Sequence, residues 1–473
     1  MASIWPESNM RIVFCSAEVV PFTKTGGLAD VAGSLPQALE ELGHELIIIK
    51  PYYKAVKLTE VKPYSPNEVA VAKIGKNIKV YLIGNEKYFG RDGIYGDKNG
   101  DYADNLERFS FYCHESLRLL KRLEAPVDVI HCHDWHAALV PVLLKNKYQK
   151  DPFFKSIKSV FTIHNLAYQG VFPKEQYDLL GVDRELFHID GFEFYDQINV
   201  MKAGLIFADR VTTVSPQYAL EIQHKEYGCG LDGVLRSRPE GIAGILNGLD
   251  YHLWNPATDP LVEHHYSATD PSKKAKNKAS FQKAIGLPEK PNVPLFGFVG
   301  RLCHQKGLDL LIDSIDELMR FDVQIVFVGS GGDRYHKLLE SCAARYPQKI
   351  GLYLKFGEEM ARRTYAASDF FLMPSVYEPC GLGQMISLCY GTIPIVHRTG
   401  GLADTITPYD PLRSYGNGFV FFQYTKEGLV FCFEQAVRAY RNAPQFTALM
   451  GRAFNSRFTW DNSALEYEKI YRE

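Results

Sequence analysis

Short runs of β-branched and aromatic residues recur along almost the whole chain, each followed by a glycine or polar cluster and then by a segment of helical spacing. This alternation limits the fold more than any other feature, because strands joined through helices pair in parallel and are buried on both faces. In the first half the strand candidates are RIVFCSAEV from Arg11, LIIIKP from Leu46, VDVIHCH from Val127, SVFTIH from Ser159, DRVTTVS from Asp209 and GIAGIL from Gly241. In the second half they are LFGFVG from Leu295, QIVFVGS from Gln324, DFFLMPS from Asp369 and IPIVHRT from Ile393. The stretch from Asn255 to Lys278, led by Trp254, is rich in Pro, Asp and Lys, lacks a sustained apolar period and marks a domain boundary.

A chain of 473 residues exceeds what one hydrophobic core normally supports. The expectation is therefore two α/β domains, residues 1–255 and 256–457, each a doubly wound parallel sheet, facing each other across a deep cleft. The segment from Phe458 to Glu473 reads as a helix crossing back to the first domain, with Leu465, Tyr467 and Tyr471 on or near one face. The hexapeptide TGGLAD occurs at Thr25–Asp30 and again at Thr399–Asp404, each time after a strand candidate and opening a helix. YGDKNGDYADN, from Tyr95 to Asn105, reads as a polar surface loop followed by a helix starting near Leu106.

Composition excludes several partners. The 53 Lys and Arg against 55 Asp and Glu give a net charge of −2, so no nucleic-acid or anionic-membrane partner is expected. The nine cysteines are scattered with no Cys-x-x-Cys pair, which fits reduced thiols in a cytoplasmic protein. The opening MASIWPESNM has no apolar signal core, and no run approaches the roughly 20 apolar residues that span a bilayer.

In open α/β sheets, ligands bind beyond the carboxyl ends of the strands. Unusual polar residues collect there: Lys24 with its Gly-Gly turn, His133 and Asp134, His164 and Asn165, Asn247, then Arg301 and Lys306, Gly329 to Gly332, Glu378, and His397 to Gly401. Arg301 and Lys306 pair a guanidinium fork with a mobile ammonium, a combination suited to a diphosphate. Glu378, just ahead of a Gly-Leu-Gly helix start, offers a carboxylate to sugar hydroxyls. Taken singly, Arg301 and Lys306 also read as a solvated charge pair and His164 as a core histidine. His131, Cys132, His133, Asp134 and His136 have the composition of a metal cluster, but a strand alternates faces, so no metal site is expected.

With these residues in hand, the sequence resembles the bacterial and plant ADP-glucose-type glycogen and starch synthases, which have the two-domain GT-B fold. KTGGLADV at Lys24, HCHDWHAAL at His131, TIHNLAYQG at Thr162, ILNGLD at Ile245, GRLCHQKGLDL at Gly300, EPCGLGQM at Glu378 and RTGGLADT at Arg398 follow the family's order over nearly the whole chain. The resemblance implies retaining transfer of glucose from ADP-glucose to an α-1,4-glucan, without a cofactor. It assigns catalysis to Glu378, His164, Arg301 and Lys306, and substrate binding to Lys24, Gly27, Asp134, Asn247, the backbone of Cys380, Gly381 and Leu382, and Phe356 as a ring for the base. Many retaining relatives carry a second Glu eight positions after the first; here Ile386 stands there, as in the bacterial and plastid branch. Gly383 replaces a common Thr. The rivals are a related enzyme using UDP-glucose or a small acceptor, and a catalytically silent glucan binder on the same fold. An oxidoreductase is a distant third, since neither half shows G-x-G-x-x-G.

Overall fold

The structure is a computed structural model that describes residues 9–56, 62–65, 69–98, 100–355 and 357–473. Its contacts divide into two units: Met1–Gly248 together with Trp460–Glu473, and Leu249–Thr459.

In unit 1 the strands are β1 (Arg11–Cys15), β2 (Glu45–Pro51), β3 (Lys62–Ser65), β4 (Val69–Ile74), β5 (Ile78–Ile83), β6 (Gly96–Asp97), β7 (Gly100–Asp101), β8 (Val129–His133), β9 (Lys158–Ile163), β10 (Val171–Pro173), β11 (Glu193–Phe194), β12 (Gln197–Asn199), β13 (Arg210–Thr213) and β14 (Ala243–Gly244). The main sheet runs β14-β13-β9-β8-β1-β2-β5-β4-β3. Its pairs are parallel except at the far edge, where β4 pairs antiparallel with β5 and β3 with β4. Strand order reverses direction between β1 and β8, so the loops leaving these two strands diverge and open a crevice at the carboxyl edge.

Unit 2 contains β15 (Leu295–Val299), β16 (Gln324–Val328), β17 (Ile350–Tyr353), β18 (Phe370–Met373), β19 (Ile393–His397) and β20 (Phe419–Phe421). Their order, β17-β16-β15-β18-β19-β20, is the 3-2-1-4-5-6 arrangement of a dinucleotide-type fold. Every pair is parallel. Here the order reverses between β15 and β18. Phe296, Phe370 and Phe433 form a stacked column through this core, with centroids 4.8 and 4.0 Å apart.

Several sequence expectations change. The candidate strand at Gly241 shrinks to Ala243–Gly244, because Gly241 turns the chain at φ +70° and Gly244 lies against the Ser215 carbonyl, 2.3 Å from where a Cβ would sit. β4, β5, β17 and β20 were not among the strand candidates. β5 is interrupted by exposed Lys79, β4 and β17 are half open, and β20 spans three residues, so none presents the continuous apolar run of a central strand. The expected boundary after residue 255 stands beside a division at Gly248/Leu249: Arg362 reaches back to the Leu253 carbonyl and to Asp259 and covers the Trp254 ring, tying this stretch into unit 2.

The final helix, Trp460–Arg472, joins unit 1. Its buried stripe is Trp460, Ser463, Ala464, Tyr467 and Tyr471, whereas Leu465 is 46% exposed. Two positions along a helix separate side chains by about 200°, so Leu465 and Tyr467 cannot share a face. The Tyr95–Asn105 segment is not purely surface either: Tyr95 stacks on His136 at 4.6 Å, and buried Asn105 donates to the Tyr95 carbonyl.

Candidate active site

In unit 2 the reversal of strand order places the turn after β15 beside the loop after β18. Lys306 lies in the 3-10 turn His304–Lys306, and its Nζ donates to Glu378 Oε2 at 2.6 Å. Ser375 Oγ donates to the same carboxylate oxygen at 2.9 Å. Glu378 is buried, and Lys306 keeps a fraction of its surface open. An ammonium has three donors, so a lysine held here by one carboxylate can still offer protons to an anion. Gly307 makes the turn possible: its φ is +76°, and a Cβ would sit 1.8 Å from the Pro374 carbonyl oxygen. Arg301, on the same turn, is exposed, and its Nη2 donates to Gln305 at 3.1 Å.

Behind Glu378 the backbone is shaped by a residue that carries no recognisable chemical motif of its own. Gln384, fully buried, donates through Nε2 to the carbonyls of Cys380 and Gly381, both at 3.0 Å. In a trans peptide the N–H points opposite the carbonyl, so the N–H groups of Gly381 and Leu382 face away from Gln384. Gly381 has φ +76°. The second TGGLAD closes on this loop: Gly401 N donates to the Glu378 carbonyl at 3.0 Å, and a Cβ on Gly400 would fall 2.0 Å from that oxygen. Glycine is required there by close approach of two backbones. Phe356 lies outside the described residues.

In unit 1 the corresponding crevice lies between the loops after β1 and β8. Asp134, at the end of β8, has φ +53°, a conformation that costs a non-glycine residue about 1–3 kcal/mol. Its Oδ1 accepts the backbone N–H of His164 at 2.7 Å, linking the ends of β8 and β9. Burial pushes the Asp134 carboxyl up to about 7, against the pull of the His164 and Asn165 N–H groups and with a further push from Glu18. Burial also drives His164 down to about 3 and His133 well below its usual range, so both imidazoles are neutral. Their rings share a hydrogen bond, His133 Nδ1 to His164 Nε2, at 2.9 Å.

His131 lies against His133 with ring centroids 4.1 Å apart and planes tilted by 36°, and its own nitrogens are bonded to the Tyr471 hydroxyl at 2.8 Å and Thr162 Oγ1 at 2.6 Å. These histidines thus form a neutral hydrogen-bonded layer, and the final helix reaches it through Tyr471. Asn247, which follows β14, is buried, and its Oδ1 has no hydrogen-bond partner among the described residues. An orphaned buried acceptor costs about 1–3 kcal/mol, which a polar ligand can recover.

The Lys24 loop is held from below by Glu18, which motif reading missed. This buried carboxylate accepts from Thr25 N and Oγ1, both at 2.5 Å, Gly26 N at 3.2 Å and the Tyr95 hydroxyl at 2.6 Å. Lys24 itself is exposed and pairs with Asp30 at 2.7 Å. Gly27 opens the helix Gly27–Glu41. Glu18 lies just beyond β1, at the carboxyl edge of the sheet; that placement is the signal that could have found it.

Two Rossmann-type sheets, each with charged and glycine-rich loops at its point of order reversal, define the class: a GT-B glycosyltransferase. Residues 11–237 match the starch synthase catalytic domain model, and residues 277–441 match the glycosyl transferases group 1 model. A glycogen synthase of Geotalea uraniireducens is 45% identical over 98% of both chains. One of Bacillus cereus is 44% identical over 98% of this chain and 99% of its own. The catalytic domain of Arabidopsis thaliana starch synthase IV, solved with ADP and acarbose, superposes with a TM-score of 0.89 at 33% identity, covering 98% and 99%. A sucrose-phosphate synthase of Thermosynechococcus elongatus shares the fold at TM-score 0.61 and 18% identity. The chain belongs to the glycogen synthase family and is a hexosyltransferase. No helix among the described residues is long and apolar enough to cross a membrane.

Proposed function

We propose that this chain transfers the glucosyl group of ADP-glucose, with retention of the α anomer, to the non-reducing end of an α-1,4-glucan. The observation that carries the proposal is the Lys306–Glu378 pair, with Arg301 on the same turn, at the point of order reversal in unit 2. Arg301 and Lys306 neutralise the diphosphate as the bond between its oxygen and the anomeric carbon breaks. The acceptor hydroxyl attacks from the same face, and the departing phosphate oxygen takes its proton. In unit 2, Glu378 and the N–H groups of Gly381 and Leu382 offer partners to sugar hydroxyls; in unit 1, neutral His164, fixed by Asp134, offers a further one. Asn247 meets another through its orphaned oxygen. Positioning and charge stabilisation carry most of the acceleration.

No cofactor takes part in this scheme, so chelator-treated protein keeps its rate; a rate restored only by added Mg²⁺ would count against it. The nine cysteines form no disulfide, and seven of them are buried, which favours the cytoplasm. The deciding measurement is release of nucleoside diphosphate from ADP-glucose and from UDP-glucose, each with and without glycogen. Release from ADP-glucose that requires glycogen is expected. Faster release from UDP-glucose would overturn the donor, and no release from either would leave a silent binder.

A further inference from the structure

We propose that unit 2 carries a binding site for a small phosphomonoester, in a groove beside the two segments that lead the chain into and out of this unit, and that its occupant modulates turnover. The chain enters unit 2 at Gly248/Leu249 and leaves it at Thr459/Trp460. Inside the unit these two segments are joined: Leu249 N donates to the Phe458 carbonyl, and Phe458 N donates to the Tyr251 hydroxyl, both at 2.8 Å. Exposed Arg457 lies over the Tyr251 ring at 4.3 Å. A groove of about 440 Å³, within the range of small-molecule sites, opens at this junction. Its lining includes Tyr251, His252, Phe454 and Arg457 from the two joined segments, and Ser267 and Thr269 from the loop ahead of the helix Lys274–Ala284.

The lining selects the occupant. It holds one permanent cation, Arg457, and no carboxylate. Arg457 forms no ion pair among the described residues, so its planar fork of donors is open to an anion. Its charge is felt inside the groove: burial pushes the Cys389 thiol of the same lining up to about 12, and the guanidinium draws it back down. The Ser267 and Thr269 hydroxyls, 2.9 Å apart, add short donors. A neutral sugar would leave the guanidinium unanswered, and a polyanion needs more than one cation. A carboxylate spends both oxygens on the fork, whereas a phosphate keeps a third for the hydroxyls. The Tyr251 and Phe454 rings then cover the apolar part of a small organic body. An anion on Arg457 acts on the ring whose hydroxyl holds Phe458, so a ligand that prefers one arrangement of this junction shifts the population of the enzyme's conformations.

The test uses the full chain with ribose 5-phosphate as probe, and ribose and malate as comparisons. Melting midpoints are titrated in the presence of excess ADP, so that Arg301 and Lys306 are already engaged. Ribose 5-phosphate should raise the midpoint saturably. Arg457→Gln should weaken that binding about tenfold or more, and Ser267→Ala/Thr269→Ala should weaken it by less. Glycogen-dependent nucleotide release at saturating ADP-glucose should change with ribose 5-phosphate in the wild type and not in Arg457→Gln, whose rate without the phosphoester should match the wild type. An equal midpoint shift in wild type and Arg457→Gln, or an equal shift with ribose, would overturn the site. A larger shift with malate would overturn the phosphomonoester in favour of a carboxylate. Saturable binding with unchanged nucleotide release would overturn the modulation. Absence of glycogen-dependent release in the wild type would defeat the proposed function, whereas the midpoint titration tests the groove independently of turnover.

Discussion

At the scale of single residues, the Lys306–Glu378 pair is the most consequential contact. Each partner satisfies the other's charge in a mostly buried setting, where removing one member leaves an uncompensated ion. Lys306→Ala and Arg301→Ala should each lower kcat about 10²-fold or more, through loss of leaving-group stabilisation. Glu378→Gln should do the same while the protein remains folded; steady-state rates and circular dichroism together check both statements. Unaltered kcat in all three would remove the pair from the chemistry. Glu18 acts one step back. Because its carboxylate collects four donors from Thr25, Gly26 and Tyr95, Glu18→Gln should weaken charge-assisted bonds that shape the Lys24 loop. The expected result is a donor KM raised by about tenfold with the melting temperature little changed, and a donor KM equal to wild type would show that the loop holds its shape without Glu18.

At the scale of elements, glycines decide which turns exist. Gly307 caps the helix Leu308–Asp313 and directly follows Lys306. An alanine there would meet both an unfavourable φ and the Pro374 carbonyl, so Gly307→Ala should cost about 2–4 kcal/mol in denaturant unfolding and lower kcat by displacing Lys306. Gly383 shows a milder form of this constraint. A Cβ there would lie 3.0 Å from the Phe371 ring, so a side chain at this position needs that ring to give by a few tenths of an ångström. The final helix is an element with a tether: Tyr471→Phe removes the bond to His131 Nδ1 and should cost about 1 kcal/mol of stability. Restoration of wild-type stability in that variant would mean the tether carries none.

At the scale of the whole molecule, buried imidazoles set the response to acid. His131, His133, His136 and His164 all have folded pKa values below their ordinary 6.5, burial being the first cause in each case. The unfolded chain therefore binds protons that the folded chain refuses. Their contribution to stability is full above about pH 6.5 and is lost as the pH falls toward 3. Asp134 works in the opposite sense: raised from 3.8 to about 7, it binds a proton more readily when folded, so its contribution declines as pH rises through that window. Four groups outweigh one. The denaturation midpoint should fall steeply on acidification below pH 6.5, and Asp134→Asn should steepen that fall. A midpoint independent of pH from 7 to 4 would show that these imidazoles are not held neutral.

Much of this was legible in the chain itself. The central strands, the two sheets, the helix openings at both TGGLAD segments and the cluster of polar residues at strand ends follow from periodicity and turn chemistry, which are local properties of consecutive residues. Glu378, Lys306, His164 and Asp134 were found because α/β sheets present ligands at that edge. The tertiary structure alone decided which of them touch: Lys306 meets Glu378 across 72 positions, and Asp134 meets the His164 backbone across 30. It also supplied Glu18, Gln384 and Tyr471, whose roles lie in the donors and acceptors that other segments bring to them. Edge strands, the division at Gly248 and the exposed face of Leu465 were settled the same way. Sequence spacing encodes direction along one element, whereas burial, pKa and hydrogen-bond partnership depend on neighbours that only folding brings near.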